Sequence, residues 1–145
     1  CVVTITYADA TYPLDHTENF NAVISPCVAD SLDPEETLDG TTISVTVGGT
    51  LNDINFDEFT FTPTCLYSYT YTAFLTQLDG NNVEVGTAIP DFLVLNGANT
   101  LFTWASANLG SEDEGTYVIT VIGTPSAGST DTASISFTVE VAGCS

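Results

Sequence analysis

The sequence predicts an all-β fold, an antiparallel β-sandwich of seven or eight strands in about a hundred residues, with an extra N-terminal strand segment. Three observations predict it. Apolar and polar residues alternate along most of the chain, the period-2 signature of half-buried strands, and helical periodicity is nearly absent. From residue 41 onward turn residues punctuate that alternation at regular spacing, the pattern of an all-β domain. The length of 145 residues suits one domain plus an appended segment.

The elements follow in order. Val3, Ile5 and Tyr7 alternate with Val2, Thr4 and Thr6 and open a strand. A polar stretch with Pro13, Asp15 and His16 follows, then a short apolar run from Phe20 to Ile24. Residues 30–40, DSLDPEETLDG, read as an acidic, turn-rich link. Ile43, Val45 and Val47 alternate up to Gly48-Gly49. Ile54 and Phe56 share one parity, Phe59 and Phe61 the other, so a β-bulge is expected at Asp57-Glu58 within one strand, 54–62. Tyr67, Tyr69, Tyr71, Ala73 and Leu75 line one face of a long strand, and Asp79-Gly80-Asn81-Asn82 turns the chain. A strand is expected around 83–88, and another over 89–95. Asn96-Gly97 reads as a tight hairpin turn, followed by Leu101, Phe102 and Trp104. Two long strands close the chain, 117–122 and 135–141, the last with Ile135, Phe137, Val139 and Val141 inward.

Charge narrows the function classes. The chain has 19 Asp plus Glu, no Lys, no Arg and one His, for a net charge of −19. Nucleic-acid binding is close to excluded, because phosphate neutralisation needs Lys or Arg. An anionic membrane surface is disfavoured for the same reason. No run approaches the ~18 apolar residues of a membrane-spanning helix. With no Met, the chain is expected to be a processed product or one piece of a longer polypeptide. Four cysteines (Cys1, Cys27, Cys65, Cys144) are widely spaced and lack any CxxC. With a single His they make no zinc set. An even count in an acidic β chain reads as two disulfides and an extracellular or cell-surface location; four buried thiols are the alternative.

No catalytic residue is identified. His16 has no nucleophile near it in sequence and reads as a surface histidine. Acids occur in every loop, so no glycosidase pair stands out. No enzyme is expected, and no cofactor except calcium, which takes clusters of oxygen ligands. The best local groups are Glu112, Asp113 and Glu114, then Asp53 with Asp57 and Glu58, then the acids of 30–36. None has EF-hand spacing, and solvated loops are the plain alternative. Asp113 can also cap the backbone at a corner. Trp104 and the tyrosine row could form a sugar-binding platform, or they are core and cross-strand aromatics.

Residues 89–141 carry a family resemblance. Ile89-Pro90-Asp91-Phe92-Leu93, the corner Asp113-x-Gly115-x-Tyr117 and the closing Phe137-Thr138-Val139-Glu140-Val141 resemble the dystroglycan-type cadherin-like module, an Ig-like repeat of large extracellular surface proteins. In antibody domains a cysteine follows the corner tyrosine by two positions; here Ile119 stands there. Cys27, Cys65 (before a Tyr-rich strand) and Cys144 fit the register of tandem modules in ciliate-like protist surface proteins, in which the last cysteine opens the next repeat. The resemblance implies an immunoglobulin/cadherin-like sandwich that builds stalks and coats. Some relatives bind calcium between domains, but the cadherin motifs DxNDN and LDRE are absent here.

On that strand assignment, with 42–47, 54–62 and 65–75 as the first three strands, Cys27 and Cys65 fall at one end of the sandwich. Cys144 falls at the other end, a strand length of about 20 Å away. A disulfide spans only about 5.5 Å between Cα atoms. Cys27–Cys65 is therefore favoured, leaving Cys1 and Cys144 to join within the chain or between subunits. The expected organisation is a strand segment or linker over 1–26 and an Ig-like domain over 27–145. The segment is expected to pair with the sheet edge of a neighbouring subunit, or to be the tail of a preceding repeat. The functional expectation is a repeating structural unit of a surface protein or filament, self-associating head to tail or placed among tandem Ig-like domains. A calcium- or carbohydrate-binding adhesion domain is the alternative.

Overall fold

The computed structural model describes residues 31–34, 37–62, 68–125 and 131–143. Ten strands are found there: β1 (Ser31–Asp33), β2 (Thr42–Thr46), β3 (Ile54–Asn55), β4 (Thr60–Thr62), β5 (Tyr69–Leu78), β6 (Asn81–Asn82), β7 (Leu93–Asn96), β8 (Leu101–Trp104), β9 (Gly115–Pro125) and β10 (Ala133–Ala142). They form a five-stranded sheet in the order β2-β10-β9-β5-β6, a three-stranded sheet β3-β8-β7, and a separate β1-β4 pair. Among the described residues there is no α-helix, only three short 3-10 turns. The fold is all-β, and its two main sheets face each other as a sandwich.

The alternation read from the sequence fixes which face each long strand buries. In β9, Tyr117, Ile119 and Val121 are buried; in β10, Ile135, Phe137, Val139 and Val141 are. These two strands pair antiparallel over nine residue pairs, from Ala133↔Gly123 to Val141↔Gly115. The opposing sheet contributes Ile54, Leu93 and Phe102. Across the interface Phe102 meets Phe137 edge to face at 5.2 Å, a favoured geometry for aromatic rings. Phe92, just before β7, meets Tyr117 at 5.3 Å in the same way. Ile119 is fully buried, with Leu75 and Phe137 as its cross-strand partners. The position holds an apolar side chain between two apolar neighbours.

β2 runs parallel to β10, from Thr42↔Thr138 to Thr46↔Ala142. A parallel pair cannot be closed by a hairpin, so its register is set elsewhere. Gly40 N–H donates to Ser136 O at 2.7 Å, and Ser136 N–H donates to Asp39 Oδ1 at 2.8 Å. That clamp fixes where β2 begins.

Five expectations need correction. The strand expected over 89–95 is confined to β7, because Asp91-Phe92 form a turn in which Leu93 N–H donates to Pro90 O at 3.0 Å. The expected link 30–40 contains a strand, β1, which pairs with β4; three residues are too few for a periodic signal. The strand expected over 54–62 is two strands in different sheets. The parity switch there is a change of partner: Phe56 N–H donates to Thr100 O at 3.0 Å, and Phe59 N–H to the Tyr71 hydroxyl at 3.0 Å. The strand expected over 83–88 is reduced to β6 at 81–82 and a single bridge, Phe74↔Ala88. Gly86, at φ +87°, turns the chain out between them. Asn96-Gly97 is not a two-residue hairpin turn. The β7-β8 connection is a 3-10 turn over Gly97–Asn99, ending on Thr100 in the left-handed region at φ 48°. The segment 1–26, His16, Tyr67 and all four cysteines lie outside the described residues.

Candidate functional site

The corner entering β9 is closed by a dense set of hydrogen bonds. Residues 111–113 form a 3-10 turn. Asp113 Oδ2 accepts the Gly110 N–H at 2.8 Å, and Gly110 O accepts the Asp113 N–H at 3.1 Å. Tyr117 then donates its hydroxyl back to the Asp113 carbonyl at 2.8 Å. Between them Gly115 makes room: a Cβ there would sit 3.0 Å from Asp79 Oδ1. That oxygen accepts the Thr116 N–H at 2.8 Å, and the Asp79 N–H donates to Thr116 O at 2.8 Å. Each of the three residues in the Asp-x-Gly-x-Tyr pattern therefore has a physical task. Burial, then the carboxylates of Asp113 and Asp79, raises the Tyr117 pKa above its ordinary 10.0, since the tyrosinate would be both desolvated and repelled.

The three acids singled out as metal ligands have different neighbours. The Asp113 carboxylate is bonded to Gly110 N–H. The Glu112 carboxylate lies over Gly110, and the Glu114 carboxylate lies over Gly143. No group of three or more His, Cys, Asp or Glu among the described residues is arranged to hold a metal ion. Asp53, Asp57 and Glu58 are exposed.

Of the described aromatics singled out above, Tyr71 belongs to the core and Tyr69 and Trp104 pack against it. Tyr71 is buried, with Phe56 and Phe59 edge-on to its ring at 5.2 Å each. Its hydroxyl accepts the Phe59 N–H, and burial raises its pKa above 10.0. Tyr69 stacks beside it at 6.1 Å. Trp104 stacks on Phe92 at 6.2 Å, and its Nε1–H donates to Asn52 O at 2.8 Å. Among the described residues no buried side-chain nitrogen or oxygen lacks a hydrogen-bond partner.

Two residues escaped the sequence reading. Asp39 and Asp79 tie chain segments 97 and 37 residues apart. Both stand in Asp-Gly turns, and the turn was the legible part; the distant amide each carboxylate would meet was not. Among the described residues the outer strands of the five-stranded sheet are β2 and β6. β2 presents alternating exposed residues Thr42, Ser44 and Thr46, with Ser44 donating to the Glu140 carboxylate at 3.0 Å. No helix among the described residues is long and apolar enough to cross a membrane. No family model matches this chain, and no curated protein matches it.

Proposed function

We propose that this chain is an immunoglobulin/cadherin-like module acting as a non-enzymatic structural unit of an extracellular surface protein or filament. The observation that carries the reading is strand order. With β3, β5, β7, β8, β9 and β10 taken as strands B to G, the sheets read B-E-D and G-F-C. That is the division of strands in an immunoglobulin sandwich, and β6 extends the second sheet beyond strand C. The tyrosine corner lies where that fold places it, at the start of strand F. β2 departs from the constant-domain order by joining strand G in parallel.

Use of the polar groups supports the structural role. Asp39, Asp79, Asp113 and Tyr71 direct their side-chain oxygens at backbone amides. Those contacts build corners and do not converge on a cleft. Among the described residues β2 ends the order of the five-stranded sheet, and a strand edge is the kind of surface that accepts an added strand. In the proposed assembly residues 2–7 of a neighbour add to that edge. Cys27–Cys65 staples each unit, and Cys1–Cys144 locks successive units.

The test is a non-reducing gel of purified protein with mass mapping of cysteine peptides. A ladder collapsing to one band on reduction, with Cys1–Cys144 peptides found only in the ladder, supports the reading. A monomer with four free thiols overturns it. The adhesion alternative is separated by melting in calcium and in EDTA, since a ligand of the native state raises the melting temperature.

A further inference from the structure

The hairpin after β5 leaves its ladder in an unusual way. Val83 N–H donates to Thr76 O at 3.1 Å, and Leu75 N–H to Thr87 O at 2.9 Å. Between these two rungs Glu84, Val85 and Gly86 bulge out of the sheet edge. The bulge is anchored: Glu84 O accepts both the Thr87 N–H at 3.1 Å and the Thr87 hydroxyl at 2.6 Å. Its tip is Val85, whose relative exposure is 101%. A bonded turn that holds a valine wholly in water does nothing for the core.

The bulge forms one wall of a cleft of about 420 Å³ on the outer face of the five-stranded sheet. Phe74 of β5 and Ile122 of β9 lie in the floor, Val83 and Val85 in the wall, with Glu84 and Thr120 also lining it. Hydroxyls border it on that face: Thr120, at the cleft, bonds Thr76 at 3.2 Å and Ser136 at 2.8 Å. A localised apolar trough on such a face marks a contact site.

We propose that this cleft docks a basic, amphipathic segment of a partner protein, with aliphatic side chains against Phe74, Ile122 and Val85 and a cationic side chain beside Glu84. Charge selects the occupant. Every charged side chain of this protein other than His16 is an acid, so a second copy brings −19 toward −19; a strand edge can offset that repulsion with main-chain bonds, whereas an apolar cleft lined by Glu84 offers a second copy no such compensation and favours a cationic partner. An anionic amphiphile is repelled likewise. The open form of the trough selects a chain segment over a small molecule, since small ligands are held where roughly 70–90% of their surface is buried.

The test is fluorescence anisotropy of the intact protein with three labelled peptides of equal length, alternating Leu-Lys, Ser-Lys and Leu-Glu. The Leu-Lys peptide should bind best. Val85→Ser, at a wholly exposed site, should weaken it about tenfold and leave Ser-Lys binding unchanged. Glu84→Gln should weaken both Lys peptides and flatten their salt dependence. Equal binding of Leu-Lys and Ser-Lys, or of Leu-Lys and Leu-Glu, overturns the proposal. So does a Val85→Ser variant that binds as wild type, or a concentration-dependent dimer that Val85→Ser dissolves.

Discussion

Replacing Tyr71 with phenylalanine removes one oxygen from the core and leaves the ring in place. The ring keeps its edge-on contacts with Phe56 and Phe59, both at 5.2 Å, so packing is nearly unchanged. What is lost is the acceptor for the Phe59 N–H, a buried bond of 3.0 Å. Phe59 is 1% exposed, so water cannot take the place of the hydroxyl. An orphaned buried amide costs about 2 kcal/mol. For a domain of this size that lowers the melting temperature by about 8 °C and the urea midpoint by about 1 M. The effect should also be local. Phe59 lies where the chain passes from β3 to β4 outside any ladder, and the tyrosine hydroxyl fixes that passage. Amide exchange at Phe59 should speed up by about thirtyfold, the same free energy read as a ratio. A variant within about 0.5 kcal/mol of wild type, with Phe59 protection intact, would refute the argument that this bond holds the passage.

Tyr117→Phe removes a donor from the partly buried Asp113 carbonyl. Water can reach that oxygen, so the cost should be smaller, about 1 kcal/mol by urea denaturation; a loss exceeding that of Tyr71→Phe would reverse the ranking. Gly123→Ala places a methyl group into the Phe59 ring. Overpacking there should cost about 1–3 kcal/mol, and a stability equal to wild type would mean the ring has room to move. Tyr69, Tyr71 and Tyr117 all have pKa values raised above the ordinary 10.0. The unfolded chain therefore releases these protons first, and their contribution is full below pH 10.0 and is lost as pH rises through the higher folded values. Tyrosinate absorbance should appear together with loss of near-ultraviolet dichroism in one transition above that pH. Ordinary titration of all tyrosines in an intact fold would contradict the burial of Tyr71 and Tyr117.

Long strands were legible because alternation over many residues leaves one register that buries the apolar set. That holds for β2, β9 and β10, whose inward residues are those the pattern marks. The corner was legible because Asp113, Gly115 and Tyr117 act within a few residues of one another. Short elements were not legible. β1 and β4 have three residues each, and their pairing is decided by partners elsewhere. Ile54 through Phe61 shows the limit most clearly. A parity switch has two physical causes, an inserted residue or a change of sheet, and both look alike in sequence. The second applies here, because Phe56 bonds Thr100 and Phe59 bonds Tyr71. Around Val83–Ala88 the alternation Val83, Val85 imitates a strand while the valines line a bulge.

A chain without Lys or Arg cannot close its corners with ordinary ion pairs, and the way it closes them bears on what it can contact. Asp39, Asp79 and Asp113 each turn a carboxylate onto a backbone amide at 2.8 Å. An amide is present whatever side chain stands at Ser136, Thr116 or Gly110, so these links need no cationic partner and tolerate sequence change around them. They also leave the carboxylate charges uncancelled. The local geometry is satisfied, and the repulsion is moved to long range, where salt screens it beyond about 10 Å at 0.1 M. Among the described residues every charged side chain is an acid, while the hydroxyls around Thr120, the exposed Thr42, Ser44 and Thr46 of β2 and the apolar floor of the cleft beside Val85 carry no charge. In the proposed assembly, contact between like copies therefore falls where main-chain bonding does the joining, at the β2 edge. Contact with a basic partner is easiest where apolar surface and acid adjoin, as at Val85 and Glu84. The two proposed associations, copy to copy at β2 and basic partner at the cleft, thus fall toward opposite edges of one sheet.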